Sequence, residues 1–284
     1  MAKHNAVLAA IQMVSTPDVE ENLKTAAAWV REAARQGAKV VLLPEFFSTF
    51  TSDNHVRLEW RETFGRGRVQ EFLQNLAQTL KVWLFCGSIP LRATDENRIF
   101  NAMLVYNPDG ECVARYDKIH LFSYQNGPEH YDEANAIVPG KKIVTINTPF
   151  GKVGLAICYD LRFPELFRAL SEKGAEADPV DLIVLPAAFT QTTGKAHWQT
   201  LLRARAIENQ CYLLAAAQGG VHQNKRQTFG HTMLVDPWGE ILDCKHKGEG
   251  LALGLLDHAR IAEVRRILPA QSQRTLFVTK EKNV

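Results

Sequence analysis

The sequence predicts an α/β protein, and three observations support this prediction. Short apolar segments of strand length alternate along the chain with longer amphipathic segments of helix length. The chain has 284 residues, 46% of them hydrophobic, which is enough to bury a large core. Proline and glycine are scattered as turn residues, without a linker or a low-complexity segment. We therefore expect a single domain over residues 1–284, in which roughly the last 15 residues form a tail.

The elements of the first half follow from these patterns in order. Short aliphatic runs predict strands, and longer amphipathic stretches predict helices. The predicted elements are the strand Ala6–Gln12, the helix Asn22–Gln36, the strand Val40–Leu43, the helix Val69–Leu80, and the strands Trp83–Gly87 and Ala102–Tyr106.

The second half continues the alternation. Pro164 suits the first turn of a helix, because proline lacks the N–H that this turn leaves unpaired. The predicted elements are a strand ending at Cys158, the helix Pro164–Lys173, the strand Leu182–Leu185, the helix Trp198–Asn209, and the strands Tyr212–Ala217, Thr232–Val235 and Leu251–Leu255. The segments Lys39–Pro44 and Asp181–Pro186 are similar, which suggests two strand ends that open on one cleft.

The charge pattern argues against nucleic-acid and membrane partners. The 33 basic and 31 acidic residues give a net charge of +2, which gives no reason to expect binding of nucleic acid. No apolar run approaches the length of a membrane span, and the apolar start is too short for a secretory signal. We expect a cytoplasmic protein whose partner is a small molecule.

The cysteine pattern argues against disulfides and metal. The cysteines are odd in number and widely spaced, at Cys86, Cys112, Cys158, Cys211 and Cys244. Neither they nor the nine histidines form a C-x-x-C pair or an H-E-x-x-H motif, so we expect no metal site.

Cys158 is the best candidate for a catalytic nucleophile. It ends the apolar run Val153–Cys158 and precedes the helix predicted from Pro164. A thiol at a strand-to-helix junction points away from the sheet, and the positive end of a helix dipole would favour the thiolate. A lone cysteine is usually a buried structural thiol, so the assignment depends on the residues that accompany it.

Glu45 and Lys118 lie at the ends of two other strand-like segments. Glu45 follows Leu43-Pro44 and precedes aromatic residues, so its carboxylate is poorly solvated and suited to accept a proton. A glutamate that pairs with an arginine or caps a helix would show the same pattern. Lys118 ends a weakly alternating segment, a place where lysines are ordinarily solvated.

These segments together resemble the nitrilase superfamily of carbon–nitrogen hydrolases, whose signature is a Glu, a Lys and a Cys at the ends of core strands. The matching segments are Leu43–Phe46, Tyr116–Leu121 and Gly154–Glu165. They occur in the family's order, with gaps of 73 residues (118 − 45) and 40 residues (158 − 118). The resemblance covers nearly the whole chain.

A second glutamate of the family lies in a loop before a Pro-Gly pair. The polar stretch Ser123–Pro139 contains both Glu129 and Glu133, and such a long loop in a compact domain is often functional. Glu133, six residues before Pro139, matches the family's position better than Glu129.

The resemblance implies a fold, an assembly and a mechanism. The fold is a four-layer αββα sandwich that commonly forms homodimers or larger homo-oligomers, without a cofactor. Cys158 would attack an amide carbonyl, and Glu45 would transfer protons and activate the hydrolytic water. Lys118 and the backbone N–H of Tyr159 would stabilise the oxyanion, and Glu133 would orient Lys118 and the substrate.

The C-terminal half is most similar to the deaminated glutathione amidase branch of the superfamily. The similar segments are Thr193–Trp198, Leu202–Tyr212, Ala215–Gln218 and Val235–Gly239. The substrate of that branch carries a 2-oxo acid on its acyl side and cysteinylglycine as its leaving group, so the resemblance implies an amidase that produces 2-oxoglutarate and cysteinylglycine.

The carboxylates of such a substrate need cationic partners. Lys195, His197 and Arg226 are the candidates by loop placement, because Phe189–His197 follows a strand end and is expected to be a substrate-contacting loop. Each could instead be a surface charge, and His197 could cap the helix predicted from Trp198.

Other activities use the same four catalytic residues. An ω-amidase acting on 2-oxoglutaramate, an aliphatic amidase and an N-carbamoyl amino acid amidohydrolase are the alternatives. The loop that begins at Ser123 lacks the aspartate that many relatives carry, which bears on the pocket entrance. A catalytically idle binding protein on the same fold is the alternative from another class, and the intact Glu45, Lys118 and Cys158 argue against it.

Overall fold

The structure is a computed structural model that describes residues 3–51, 54–127, 129–171 and 179–275. The strands in these ranges are β1 (Ala6–Gln12), β2 (Val40–Leu42), β3 (Trp83–Phe85), β4 (Ile89–Arg92), β5 (Ile99–Tyr106), β6 (Cys112–Asp117), β7 (Ser123–Asn126), β8 (Glu129–Asp132), β9 (Thr145–Thr148), β10 (Gly151–Leu155), β11 (Leu182–Ala187), β12 (Tyr212–Ala217), β13 (Thr232–Val235), β14 (Ile241–Lys245) and β15 (Gly250–Leu256).

The helices of the described ranges are α1 (Val19–Arg35), α2 (Asn54–Glu59), α3 (Arg68–Leu80), α4 (Pro164–Leu170), α5 (Gln191–Asn209) and α6 (His258–Ile267). Two short 3-10 helices, Glu133–Asn135 and Cys158–Arg162, follow β8 and β10. None of the described helices has both the length and the apolar character needed to cross a membrane.

The strands form two large sheets and one hairpin. The first sheet has the order β15-β1-β2-β3-β5-β4, with β6 also paired to β5, and the second has the order β14-β13-β12-β11-β10-β9. In each sheet the three central strands are parallel, namely β1-β2-β3 and β10-β11-β12. The third sheet is the antiparallel hairpin of β7 and β8.

The two large sheets pack face to face, and helices cover their outer sides. β1 and β2 contact β12 across the interface, α1 and α3 pack on the first sheet, and α5 packs on the second with α4 beside it. The central strands are apolar along their length because both of their faces are buried, as in Leu182–Ala187, where every residue is buried. The α/β class and the four-layer αββα arrangement are therefore confirmed.

The helices bury one face each. α1 begins after Asp18, whose carboxylate accepts a hydrogen bond from the Glu21 N–H at 3.1 Å. Its buried face lies on the first sheet and consists of apolar residues at helical spacing together with one asparagine: Val19, Asn22, Leu23, Ala26, Ala27, Val30 and Ala33.

The layering brings several strand ends to one edge of the molecule. The segment after β2 and the segment after β11 meet in a small apolar cluster that contains Phe46 and Ala188. The similar segments Lys39–Pro44 and Asp181–Pro186 thus lead to one apolar cluster. Lys118 directly follows β6 at this edge, and Glu45 and Cys158 come three residues after the ends of β2 and β10.

The predicted central elements agree with the structure, and the start of one helix does not. Strands Ala6–Gln12, Tyr212–Ala217 and Thr232–Val235 have the predicted bounds. Helix α5 begins at Gln191 rather than at Trp198, so Phe189–His197 is not an extended loop. The elements β4, β7, β8, β9, β14, α2 and α6 were not predicted.

Two other predictions extend beyond the described residues. The helix predicted from Pro164 ends at Leu170, and its predicted last residues, Glu172 and Lys173, lie outside the described ranges. The tail expected at the C-terminus lies mostly outside them as well, since the description stops at residue 275. The single-domain organisation stays a prediction.

Candidate active site

Glu45 lies in a tight turn after β2. The next residue, Phe46, has a φ of +51°, and its N–H donates a hydrogen bond to Ser88 Oγ at 2.9 Å. A side chain at Gly87 would place its Cβ 2.0 Å from the Pro44 carbonyl oxygen, so the segment after β3 packs directly against this turn. The close packing fixes the backbone that carries the Glu45 carboxylate, which is buried.

Lys118 directly follows β6 and is held by backbone hydrogen bonds on both sides. Its N–H donates to the Asn101 carbonyl at 2.9 Å, and its own carbonyl accepts from the Gly140 N–H at 2.8 Å. A Cβ at Gly140 would lie 2.0 Å from the Asp117 carbonyl oxygen, so glycine is required for this approach. The Pro139-Gly140 pair therefore supports the end of β6.

Cys158 is the first residue of the 3-10 helix that follows β10. Its φ of +50° lies in the left-handed region, which non-glycine residues rarely adopt and which is often found at functional sites. The residue is 8% exposed, so its thiol opens only slightly to solvent.

The side chains of Glu45, Cys158 and Glu133 lie around the buried ammonium group of Lys118. Lys118 Nζ donates to Glu45 Oε1 at 2.9 Å and to Glu133 Oε2 at 2.7 Å. The Lys118 side chain has no exposed surface. The Cys158 thiol lies close enough to this pair for the charges of Glu45 and Lys118 to act on its pKa. Residues separated by 73 and 40 positions in the sequence therefore form one contiguous polar cluster.

The pKa values of the cluster follow from burial and from neighbouring charges. Desolvation alone would lower the pKa of Lys118, but the Glu133 and Glu45 carboxylates more than offset it, and the pKa is raised. Desolvation, followed by the negative charge of Glu45, raises the pKa of the Cys158 thiol well above its usual range, although Lys118 opposes this shift.

The expectation that a helix dipole favours the Cys158 thiolate is therefore wrong. The residue begins a 3-10 helix of five residues rather than a long α-helix, and α4 starts only at Pro164. The short helix cannot compensate for the loss of water around the sulfur and for the adjacent carboxylate. The side chain at rest is a thiol.

The two glutamates of the polar stretch occupy different places. Glu133, in the 3-10 helix after β8, accepts hydrogen bonds from Lys118 Nζ and from the Phe122 N–H, both through Oε2. Glu129 lies at the opposite end of the β7–β8 hairpin, where its carboxylate accepts from Thr192 Oγ1 at 3.2 Å. The structure thus brings Glu133 to Lys118 and leaves Glu129 apart from it.

Two buried amide side chains that the sequence analysis did not assign hold Glu45. Asn101 Nδ2 donates to Glu45 Oε1 at 2.9 Å, and Gln218 Nε2 donates to the Glu45 carbonyl oxygen at 3.1 Å. Asn101 and Lys118 both bind Oε1. A polar residue inside the apolar strand β5 was the only sequence signal for Asn101.

Asp160 connects the Cys158 segment to the Lys118 segment. This fully buried carboxylate accepts hydrogen bonds from the Tyr116 hydroxyl at 2.7 Å, the Ile157 N–H at 2.9 Å and the His120 N–H at 3.0 Å. His120 Nδ1 also lies 2.7 Å from it. Because Tyr116 and His120 flank Lys118, Asp160 fixes the relative positions of Lys118 and Cys158.

A narrow pocket opens at the Cys158 sulfur. It has a volume of about 10 Å³, and its walls include Tyr159, Arg162, Phe189 and Thr193. Tyr159 lies in the first turn of the 3-10 helix, where backbone N–H groups have no acceptor within the helix. Its N–H is therefore in a position suited to an oxyanion donor.

Arg162 is a cation of this pocket that the sequence analysis did not assign. Its guanidinium lies 5.6 Å from the centre of the Tyr159 ring and 5.3 Å from that of Phe189. Among the described residues no carboxylate forms an ion pair with it, and Nη1 lies 3.1 Å from His197 Nδ1. The sequence feature that could have identified Arg162 is its position four residues after Cys158.

A wider cleft of about 450 Å³ adjoins the narrow pocket. The two share Phe122, and the cleft is also lined by Arg57, Tyr131, Glu133 and Arg226. Arg226, one of the predicted substrate contacts, therefore faces a cavity next to the cluster of Glu45, Lys118 and Glu133.

The other two predicted substrate contacts lie elsewhere. Lys195 and His197 are exposed on α5 and line neither the pocket nor the cleft. The predicted loop is helical because Thr190 Oγ1 caps the Thr193 N–H at 3.2 Å and starts the helix at Gln191. His197 consequently does not cap a helix, and its ring contacts Arg162.

The described residues contain no group of three or more His, Cys, Asp or Glu side chains arranged to hold a metal ion. The cysteines in these ranges are all free, and three of them, Cys86, Cys158 and Cys211, are buried.

Comparison with known proteins identifies the family. A model of the carbon-nitrogen hydrolase family matches residues 7–266. The chain is 42% identical over 273 residues to the deaminated glutathione amidase of Homo sapiens, covering 94% of this chain and 82% of that protein. It is 41% identical over 271 residues to the deaminated glutathione amidase of Synechocystis sp., covering 94% and 97%. It is 35% identical over 268 residues to omega-amidase NIT2 of Homo sapiens, covering 94% of each.

Solved structures agree with this relationship. The C. elegans NitFhit protein superposes with a TM-score of 0.89 at 35% identity, covering 97% of this chain and 66% of that one. Saccharomyces cerevisiae Nit3, a member of branch 10 of the nitrilase superfamily, superposes with a TM-score of 0.85 at 31% identity, covering 96% and 97%. The resemblance inferred from the three sequence segments is confirmed. The chain therefore belongs to the carbon-nitrogen hydrolase family within the nitrilase superfamily, and it is an amidase.

Proposed function

We propose that this amidase cleaves deaminated glutathione through a thioester on Cys158, giving 2-oxoglutarate and cysteinylglycine. One observation carries the proposal for the mechanism. The Lys118 ammonium is 2.9 Å from Glu45 and 2.7 Å from Glu133, and the charge of the same Glu45 acts on the pKa of the nearby Cys158 thiol. A nucleophile, a proton acceptor and a cation are thus close together in a buried place, as amide hydrolysis by a covalent route requires.

Acylation begins when Glu45 accepts the thiol proton and Cys158 Sγ bonds to the carbonyl carbon. The carbonyl oxygen becomes an oxyanion, which Lys118 Nζ and the Tyr159 N–H stabilise. When the C–N bond breaks, its electron pair goes to nitrogen, which takes the proton from Glu45 and leaves as the amine. The acyl group remains on sulfur as a thioester.

Deacylation repeats these steps with water as the nucleophile. Glu45 accepts a proton from the water, whose oxygen bonds to the thioester carbon and again generates an oxyanion. The C–S bond breaks, its electron pair goes to sulfur, and the proton held by Glu45 restores the thiol. The carboxylic acid product then leaves.

The raised pKa of Cys158 gives Glu45 its role. Because burial and Glu45 raise the pKa of the thiol, the attack needs a neighbouring base, and Glu45 is the carboxylate that acts most strongly on this thiol. Glu133 keeps Lys118 charged and in place by accepting its second hydrogen bond. These four residues and the Tyr159 N–H make up the proposed catalytic set.

Deaminated glutathione as substrate is supported by the names of the relatives at about 40% identity. It is also supported by the cations beside the cluster, because the substrate is an anion. Arg162 lines the pocket of Cys158, and Arg226 lines the adjoining cleft. Lys195 and His197 are at best indirect contacts, His197 through the Arg162 guanidinium.

Hydrolysis of 2-oxoglutaramate is the second candidate. It is supported by the 35% identity to omega-amidase NIT2. Both substrates would form the same acyl-enzyme and differ only in the leaving group, which is cysteinylglycine in one case and ammonia in the other.

We further propose a single-domain homodimer that acts in the cytoplasm. The proposal of self-association is supported by apolar side chains that are exposed near one another, Leu242 on β14 and Leu255 on β15 at 44% and 48% exposure. Size-exclusion chromatography with light scattering would give the mass of the assembly, and a monomeric mass at micromolar concentration would contradict it.

The test of function is turnover by the purified protein of deaminated glutathione, 2-oxoglutaramate and an N-carbamoyl amino acid, with Cys158→Ala as the blank. A kcat/KM for deaminated glutathione clearly above the other two is the expected result. Preference for 2-oxoglutaramate would support the second candidate. The absence of any Cys158-dependent turnover would overturn both substrate proposals.

A further inference from the structure

We infer that the cleft beside Cys158 receives the leaving group, and that Arg57 and Arg226 in this cleft bind a carboxylate at the leaving group's far end. The inference rests on the proposed function, since it assigns a place to one half of the proposed substrate. It predicts that the enzyme prefers amides of carboxylate-bearing amines over amides whose leaving group lacks that charge.

The size and position of the cleft suit a leaving group of dipeptide size. Its volume of about 450 Å³ is within the range of small-molecule sites. It is continuous with the reacting atoms, because it shares Phe122 with the pocket of Cys158 and is bounded by Glu133, which contacts Lys118. The pocket at the sulfur itself is far smaller, at about 10 Å³.

The charge of the cleft suits an anion. Arg57, Lys225 and Arg226 line it, together with the carboxylates of Asp132 and Glu133. Glu133 already accepts from Lys118, and Asp132 accepts hydrogen bonds within its own turn from the Ala134 N–H and the Asn135 amide. The described lining of the cleft therefore carries three basic side chains and two carboxylates, and both carboxylates accept hydrogen bonds from other groups.

The two arginines line the same cleft. Burial lowers the pKa of Arg57 to about 10, with Glu133 opposing this shift and the positive charge of Arg226 adding to it. Mutual repulsion of two guanidinium groups is relieved by an anion between them. At a pKa of about 10 Arg57 is still a cation at neutral pH.

The Arg226 side chain is held in place and retains donors for a ligand. Its guanidinium lies 5.0 Å from the ring centres of both Phe50 and Tyr131, and Nη2 donates to the Ala188 carbonyl at 3.3 Å. Its Nε is buried and has no hydrogen-bond partner in the described part of the chain. Arginine binds carboxylates through two parallel N–H donors, which this arrangement leaves possible.

The side on which the amine departs is set by Glu45. In the proposed mechanism Glu45 delivers a proton to the leaving nitrogen, so the amine leaves next to this residue. The Arg57 guanidinium lies 4.8 Å from the ring centre of Phe46, the residue that follows Glu45. Arg162 lies in the pocket of Cys158 with Phe189 and is therefore the cation available to the acyl side.

The test compares deaminated glutathione with its C-terminal carboxamide, which differs only by the charge of the leaving group. In the wild-type enzyme kcat/KM should be at least about tenfold higher for the acid, as expected for a charged hydrogen-bonded contact. In Arg226→Met the ratio should fall to nearly one, mainly through loss of activity on the acid. Arg226→Lys, which keeps the charge without the paired donors, should give an intermediate ratio.

Controls separate this inference from misfolding and from failure of the proposed function. Arg31→Met removes an exposed arginine of α1 on the opposite layer and should keep the wild-type ratio. Thermal unfolding verifies that each variant is folded, and Arg57→Met gives a second measure of the ratio. Two results would overturn the inference and leave the proposed function intact. One is turnover of both amides by the wild type with a kcat/KM ratio near one, and the other is an unchanged ratio in folded Arg226→Met. Absence of turnover of either amide would overturn the proposed function and the inference with it.

Discussion

Replacing Glu133 by glutamine tests the carboxylate that holds Lys118. In the wild-type protein Glu133 Oε2 accepts from Lys118 Nζ at 2.7 Å and from the Phe122 N–H at 2.8 Å. Glutamine keeps an acceptor oxygen but loses the negative charge that opposes the desolvation of Lys118. A hydrogen bond to a charged group contributes about 1.5–3 kcal/mol. If this contribution is needed in the transition state, kcat/KM should fall roughly 10- to 150-fold.

Steady-state kinetics on deaminated glutathione would measure this fall, with Glu129→Gln as the matched control. Glu129 lies in the same hairpin, is the same residue type, and contacts Thr192 rather than Lys118. Its variant should therefore retain most of the wild-type activity. Equal activity of Glu133→Gln and the wild type would refute the reasoning, and so would an equal loss in the two variants.

The remaining predictions concern structure and pH. Asp160→Asn should lower the free energy of unfolding by about 2 kcal/mol or more and reduce kcat. The buried carboxylate accepts from several donors, and the NH2 group of asparagine would face some of these donors without being able to accept from them. Urea unfolding that shows no loss of stability would contradict this prediction. Burial lowers the pKa of His222 to about 4. The unfolded imidazole has a pKa of about 6.5, so it binds the proton first as the pH falls. The free energy of unfolding is therefore unaffected by this group above that pH and decreases by roughly 3 kcal/mol as the pH falls to 4. His222→Gln should therefore show a shallower loss of stability between these pH values, and an identical slope in the variant would argue against it.

The core of the fold could be predicted because it depends on local patterns. Strands such as Ala6–Gln12 and Tyr212–Ala217 are buried on both faces, and this burial requires uninterrupted apolar runs that are visible in the sequence. Glu45, Lys118 and Cys158 were identified because each ends such a run and because their segments resemble one family. The convergence of their side chains could not be read from the spacing alone.

The start of α5 could not be predicted because tertiary contacts determine it. Residues 191–197 are polar and include Gly194, which favours a loop by propensity. In the fold Thr190 caps the helix, and a Cβ at Gly194 would lie 2.3 Å from the Phe229 Cβ, so the glycine permits close packing. This difference moved Lys195 and His197 from the expected loop to an exposed helix face.

Single polar residues that act over long sequence distances were missed for a related reason. Asn101 and Glu45 are 56 positions apart, and Asp160 and Tyr116 are 44 positions apart. Neither Asn101 nor Asp160 disturbs the periodicity of its own segment in a way that would identify a partner. Their importance is visible only when the two strand ends are brought together.

The most direct test of the central claim is detection of the thioester on Cys158. The enzyme is mixed with deaminated glutathione, quenched in acid during turnover and analysed by intact-protein and peptide mass spectrometry. We predict a mass increase equal to the 2-oxoglutaryl group on the peptide that contains Cys158, and none in the Cys158→Ala variant. Turnover by the Cys158→Ala variant, or an acyl group on another residue, would contradict the account.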